Sequence, residues 1–542
     1  MIANQSENTS QAYIRRIFHT FLILLTYVFV SSFSLTGFYR LPRIYASEVL
    51  FVNMVDFLHL RLILGAALLL LIVNYVKFPR SALYQTITWD NVQRLPDGKS
   101  IQLRVPMTLL VGGFAWTMVA YDYNFYYDQA YYLDRLLLAL LVILVYVNPI
   151  FVSLFTLQFV VLEHQSSAPG ILYGGEIDKA LPLAVLSVFS AWIFLRPFLK
   201  SPATTFLFSV LCITIAFYFV AGIAKLYLDD DPLAWLRHNE LHALFVASYL
   251  NGWLAFLDRQ TIIEIARVLG YFSRVLAFMT LIIELGGLFV LFNLRLTTAW
   301  LLVTIGLHIG IFLSSGIFFW KWILMDLIIF YWVWQYREDV RFLFSKKLYG
   351  VAGIVLVLLS PFYVRAPLLG WFDTRFTTTY DVEAVMEDGD RCVIPRLDFA
   401  PFEISFAQNR FWYLMPESYL VGTYGSTDRR EIARLLEEAV SADDIAAVRL
   451  ASGRNGYDPE QIEELKVFLT RYFDNRRDGF WLSFIHPPYH IHSMPRNGCD
   501  LENQTVERVE VRYHEFLYTE DEILTVTDRI VLEVPIAVEE GD

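Results

Sequence analysis

The sequence predicts a polytopic α-helical membrane bundle of about nine to eleven helices followed by a soluble α+β domain. Three observations lead there. Of 542 residues, 56% are hydrophobic and 18% charged, and the mean hydropathy is +0.45, well to the apolar side of soluble chains. Apolar runs of bilayer-spanning length recur through the first two-thirds. From residue 365 onward they give way to short alternating stretches of the strand type.

In order along the chain, apolar segments fall at 17–39, 58–76, 106–121 and 136–161, each separated by polar connections. Further spans are expected at 181–198, 205–226, 275–292, 297–318, 319–334 and 350–362, with a weaker candidate at 241–256. A backbone surrounded by lipid must satisfy its own hydrogen bonds, so runs of this length read as helices. The first run follows Arg15 and Arg16 but has no small-residue cleavage pattern, and it reads as a retained anchor.

Basic residues gather in three places: before the first span, in the loop holding Lys77, Arg80, Arg94, Lys99 and Arg104, and around Arg337, Arg341, Lys346 and Lys347. The positive-inside rule places those segments in the cytoplasm. The loop after residue 121 holds acids and no Lys or Arg before Arg135, as expected of the opposite face. One crossing after Lys347 then puts the remainder outside. The division expected is a helical domain over 1–364 and an α+β domain over 365–542, with Pro361 and Pro367 at the junction. The expected location is a bacterial cytoplasmic membrane with the C-terminal domain outside.

Strands are expected at 378–386, 391–397, 403–414, 480–484, 507–516 and 529–538, with Asp388-Gly389 as a hairpin turn. Two helices interrupt them, 429–440 and 459–473. The second is opened by Asp458 as N-cap and Pro459 at its first position. The segment from Arg365 carries about 34 acidic and 18 basic residues of a chain whose net charge is -12, so a nucleic-acid partner is excluded and membrane lipids are the expected surroundings. A protein or peptide partner for the acidic C-terminal domain is the alternative function to weigh.

The informative residues are ionisable side chains inside apolar runs. Lys225 ends the run that begins at Phe217. Desolvation favours the neutral amine that a base needs, while Asp229, Asp230 and Asp231 favour the ammonium, and a snorkelling lysine at a helix end is the bland reading. Glu284 lies inside 275–292, where a charge costs at least about 2.5 kcal/mol, so it is expected to face the bundle interior with His308 as one partner. Lys321 and Asp326 add two more such groups. Together the five point to a polar cavity, against the alternative of interhelical hydrogen bonds alone.

The stretch Ala221-Gly-Ile-Ala-Lys-Leu226 with Trp235, then Glu284-Leu-Gly-Gly, then Gly306-Leu-His-Ile-Gly-Ile-Phe-Leu and a Phe-Phe-Trp-Lys-Trp322 run resembles the HTTM (horizontally transferred transmembrane) superfamily, which includes the vitamin K-dependent gamma-carboxylases. Ile171-Leu-Tyr-Gly-Gly-Glu-Ile-Asp178 is similar to the same pattern. The resemblance spans residues 15 to 334 and implies a membrane enzyme in which Lys225 is the base that begins reduced-quinone oxidation, with Glu284 and His308 in the same cavity. A reduced quinone is the cofactor it implies. Two positions depart from the carboxylases. The stretch before Tyr173 lacks their histidine, and apolar Ile311 stands where they carry an asparagine. The enzyme expected is therefore carboxylase-like or quinone-dependent, without glutamate carboxylation itself being implied. The catalytic candidates are Lys225, Glu284 and His308.

His486, His490 and His492 lie close together in the C-terminal domain. His490 and His492 project from one face of an extended segment, which a metal site would use, although Pro487 and Pro488 forbid the helical spacing of zinc enzymes and an exposed loop is the alternative. No metal is assigned. Cys392 and Cys499 are the two thiols of that domain and form one disulfide if it is extracytoplasmic. Asn503-Gln-Thr505 matches a glycosylation acceptor. Phosphate loops, serine elbows and paired-cysteine zinc ligands are missing from the sequence, and a transporter with repeated halves is disfavoured by the lack of internal symmetry.

Overall fold

The computed structural model describes residues 2–39 (side chains for 11–30), 65, 68–69, 72, 87–95, 98–120, 123–166, 177–364, 369–400, 404–475, 486–494, 501 and 505–536. Most of the span expected at 58–76, the strand at 480–484, most of the 171–178 motif, Pro367, Cys499 and Asn503 lie outside the described residues.

Helices dominate up to residue 358. They are α1 (Ile2–Tyr39), α2 (Trp89–Gln93), α3 (Arg104–Val119), α4 (Tyr132–Val147), α5 (Phe151–Ser166), α6 (Ala180–Leu199), α7 (Ala203–Leu226), α8 (Ala234–His238), α9 (Leu241–Leu250), α10 (Arg259–Val290), α11 (Leu294–Ser315), α12 (Trp320–Gln335), α13 (Arg337–Ser345) and α14 (Lys347–Leu358). Among the described residues five are long and apolar enough to cross a membrane: α1 over Gln11–Val30, α6, α7, α10 and α11. The expected nine to eleven is therefore not what the described helices give.

Two sequence features explain part of the difference. The expected span 136–161 is two helices, because Asn148 is extended at φ -147° and ψ 131° before Pro149, whose ring disfavours helical geometry in the preceding residue. The candidate at 241–256 is the ten-residue α9, about 15 Å long and too short to cross.

α7 is the central helix. In its most apolar window 94% of residues are buried, against 33% for α10 and 28% for α11, which leave much of their apolar surface exposed. Asp258 caps α10 by accepting from the Thr261 amide at 3.0 Å, and Asn293 caps α11 by accepting from the Arg295 amide at 2.9 Å. Gly316 ends α11 in the left-handed region at φ 71°, its N–H donating to the Phe312 carbonyl.

The basic segments share one end of the bundle. The Lys99 ammonium is 2.7 Å from Asp339, Arg16 lies over the Phe342 ring and Lys346 over that of Tyr13. At the opposite end the C-terminal part is docked. Arg471 and Asn475 donate to the carbonyls of Tyr126 and Phe125 at 2.8 and 3.1 Å, within the acidic loop.

The C-terminal part contains β1 (Phe372–Asp373), β2 (Phe376–Met386), β3 (Arg391–Val393), α15 (Arg396–Phe399), α16 (Ile404–Gln408), β4 (Ser426–Thr427), α17 (Arg430–Glu438), α18 (Ala442–Ser452), α19 (Pro459–Asn475), β5 (Val506–Tyr518) and β6 (Ile523–Pro535). Four strands form one antiparallel sheet in the order β3-β2-β5-β6, and β1 pairs with β4 separately. The turn at Asp388-Gly389 joins β2 to β3 as expected, with Gly389 at φ 89°. Aromatic side chains of Tyr380, Phe399, Phe406, Phe411 and Phe468 fill the core under the sheet.

Two strand expectations are corrected. Residues 403–414 hold α16 and a helical turn at Trp412–Leu414, and the stretch 391–397 is strand only to Val393 before α15 begins. Their aromatic and apolar residues were read as strand formers, but they pack as core plugs against Phe468, and that tertiary burial overrides β propensity. Helix α18 was not expected, although Ser441 and Asp444 form a full capping box at its start.

Candidate active site

The site begins with the register of α7. Tyr218 and Lys225 stand seven residues apart, two turns along one face and about 10.5 Å in rise. Between them lies Gly222. A Cβ there would meet Leu285 Cδ2 at 2.7 Å and Glu284 Cβ at 3.1 Å, so the missing side chain is what lets α10 approach this closely. Gly287, one turn on, similarly faces Ile215 and Trp300.

That approach brings Glu284 to Lys225. The Lys225 Nζ lies 2.7 Å from Oε1 and 2.9 Å from Oε2, and both residues are buried, at 8% and 6% exposure. The pair is net neutral whichever member holds the proton. Such a pair is weak evidence for stability but leaves an expensive orphan when one partner is removed. The Trp235 ring lies 5.5 Å from the Lys225 Nζ.

His308 belongs to a second cluster, built around Tyr218. The Tyr218 hydroxyl donates to Asp326 Oδ2 at 2.6 Å and lies 3.4 Å from His308 Nδ1. His308 Nδ1 is 4.0 Å from the same carboxylate oxygen. Trp300, Trp322 and Phe319 surround this group with ring contacts of 5.1 to 5.5 Å. Asp326 Oδ1 is buried with no hydrogen-bond partner. Lys321 joins neither cluster, since its Nζ is paired at 2.8 Å with Asp178.

The five ionisable groups singled out from sequence are thus distributed over three buried centres. Lys225 and Glu284 meet directly, whereas the partner expected for Glu284 was His308. His308 does not bond Glu284, and Tyr218, which sequence reasoning did not single out, organises the His308–Asp326 centre. Its position seven residues before Lys225 was the available signal.

The C-terminal part closes over the Lys225 end. Trp235 Nε1 donates to the Trp371 carbonyl at 2.8 Å. Asn239 and Asp373 bond reciprocally, at 3.1 Å from Asn239 Nδ2 to Asp373 Oδ2 and 2.6 Å from the Asp373 amide to Asn239 Oδ1. Burial pushes the Asp373 carboxyl up to about 6, opposed by donors from Asn239 and Trp371 and by the Lys225 charge. Beside it Arg375 holds Glu240 at 2.8 Å, and burial still pushes Glu240 up to about 7.

No protein-family model, curated protein or solved structure matches this chain.

The histidine cluster is absorbed into the docking of the C-terminal part. The Phe318 amide donates to the His490 carbonyl at 2.7 Å and the His492 amide to Gly316 at 3.0 Å. The His492 ring packs on Phe312 and Trp253. No group of three metal-binding side chains is gathered among the described residues. Cys392 is disulfide-bonded.

Hydrogen-bonding groups at Lys225 and at the Tyr218 cluster stand about two helical turns apart on α7, flanked by indole rings.

Proposed function

We propose that the chain is an integral membrane enzyme of the HTTM type, acting on or with a lipid-like ligand such as a reduced quinone, with Lys225 as its base. The single observation that carries this reading is the buried contact of Lys225 with both oxygens of Glu284 in helices apolar enough to lie in a bilayer. An ionisable pair in lipid is costly to maintain, and functional use is the usual reason for one.

In this reading Lys225 takes a proton from the ligand and Glu284 holds the amine in place and shares that proton. Tyr218, positioned by Asp326, offers a hydroxyl to a polar atom on the ligand's far side, with His308 beside it. A bound reduced quinone would supply an acidic O–H, and its two electrons would pass to dioxygen as the oxidant. The aromatic walls exclude water, which strengthens each of these contacts.

The end of the bundle carrying Lys99, Arg16 and Lys346 is assigned to the cytoplasm by its positive charge, which sets the docked C-terminal part outside. The expected total of nine to eleven spans is retained as part of this proposal, and the shorter apolar helices α3 and α14 bring the crossings among the described residues to seven.

Mass spectrometry of lipids and quinones that copurify with the protein tests the ligand class. A recurrent quinone or isoprenoid lipid in the parent, reduced in a folded Tyr218→Ala or Lys225→Ala variant, is the expected result. Equal recovery of every lipid species from parent and variants would remove the ligand assignment.

A further inference from the structure

We propose that the segment from Gly370 to Asp373, with Asn239 as its clamp, is the fixed cover of the Lys225 centre, so that the C-terminal part belongs to the reactive unit and is not a detachable module. The proposal rests on the reading of Lys225 and Glu284 as the reactive centre and extends it to residues far away in sequence.

Four independent contacts converge on that segment. Gly370 is pressed against α7 at the residue before Lys225. A Cβ at 370 would stand 2.6 Å from the Ala224 carbonyl oxygen, a backbone atom that cannot move aside. One residue on, the Trp371 carbonyl accepts from Trp235 Nε1 at 2.8 Å, and the Trp235 ring is the one lying over the Lys225 amine. Phe372 is fully buried among Ala234, Trp235, Ala277 and Leu281, so it joins α8 to α10 beside the pair. Asp373 then locks the arrangement. Its side chain accepts from Asn239 and from Trp371 Nε1 at 3.1 Å each, its amide donates to Asn239 and its carbonyl accepts from the Glu240 amide at 2.9 Å.

Asp373 and Asn239 do not bond Lys225 or Glu284 and act through other residues. They hold Trp371, Trp371 holds Trp235, and Trp235 lies over the amine. They are positioning residues in that sense.

The test is lysine acylation of the full chain in lipid nanodiscs with acetic anhydride, read by peptide mass spectrometry and normalised to exposed Lys347. This readout depends on access to the amine and not on any turnover, so it separates the cover from the chemistry assigned to Lys225. Lys225 is expected to react slowly in the parent and roughly tenfold faster or more in Asp373→Ala and in Trp371→Ala, the second variant serving if the first does not fold. Asp373→Asn, which keeps an acceptor for Trp371, is expected to retain most of the protection. Arg396→Ala breaks a different docking contact, the one to Asn251, and is expected to leave Lys225 slow. Unchanged protection in the Trp371→Ala variant, or equal acceleration by Arg396→Ala, would overturn the proposal.

Discussion

Lys225 and Glu284, 59 residues apart on α7 and α10, meet through two contacts of 2.7 and 2.9 Å inside the helical bundle. Removing one partner of a buried pair strands the other, so Glu284→Leu and Lys225→Met are each expected to lower stability by about 3–5 kcal/mol. The double variant is expected to recover most of that loss, since two apolar chains leave no orphaned charge. Unfolding of all four proteins in matched detergent checks the cycle. Additive losses would mean that the two side chains are not coupled.

The approach of α10 to α7 depends on the empty position at 222. Gly222→Val adds atoms where Leu285 and Glu284 Cβ already stand, and overpacking of this kind costs about 1–3 kcal/mol. Gly286 has nothing within 4 Å of its missing side chain, so Gly286→Ala is expected to be near neutral. Melting temperatures of the two variants give the comparison, and equal effects would contradict the assigned close contact.

Tyr218 supplies the Asp326 carboxylate with a hydrogen bond of 2.6 Å. Tyr218→Phe keeps the ring contacts with Trp300 and Trp322 while removing that donor, and it is expected to cost about 1–3 kcal/mol because Asp326 remains buried. Tyr218→Phe combined with Asp326→Leu is expected to be more stable than Tyr218→Phe alone. Chemical denaturation of the pair of variants decides it.

Glu240 gives a pH dependence with a definite sign. Burial raises its folded-state value from 4.5 to about 7, even with Arg375 opposing. The native state therefore binds the proton more tightly than the unfolded chain does, and the stability gained is complete below 4.5 and lost as pH rises through about 7. Asp373 acts in the same direction up to about 6. His242, lowered to about 4, acts in the opposite direction, its contribution growing as pH rises toward 6.5. The comparison with Glu240→Gln cancels these. The parent is expected to lose more melting temperature than Glu240→Gln between about pH 5 and about pH 8, and parallel curves would contradict the buried environment.

The apolar helices were legible because lipid imposes one periodicity and one length on any helix that crosses it, and α6, α7, α10 and α11 all follow from their composition. Lys225 and Glu284 were legible for the same reason, as charges in the wrong solvent. What sequence did not show is which charges meet. Lys321 was grouped with them, yet its partner Asp178 comes from 143 residues earlier, and only the folded bundle sets that pairing. Residues 403–414 were misread because Phe406 and Phe411 have strand-like chemistry but are used as core plugs, Phe406 against Phe468 and Phe411 against Phe406. Asp373 was invisible as a site residue, since an acid at the start of an acidic domain carries no mark of the Asn239 clamp it forms.

The central claim is that Lys225 is a working base in a lipid-embedded centre. Its most direct test is aerobic oxidation of a reduced quinone by the purified protein in nanodiscs, followed by absorbance, for the parent and a folded Lys225→Ala variant. The account predicts turnover by the parent and a loss of about 10²–10⁴-fold in the variant, the usual contribution of a positioned base. Equal rates in both proteins, or no oxidation by the parent above protein-free nanodiscs, would contradict it.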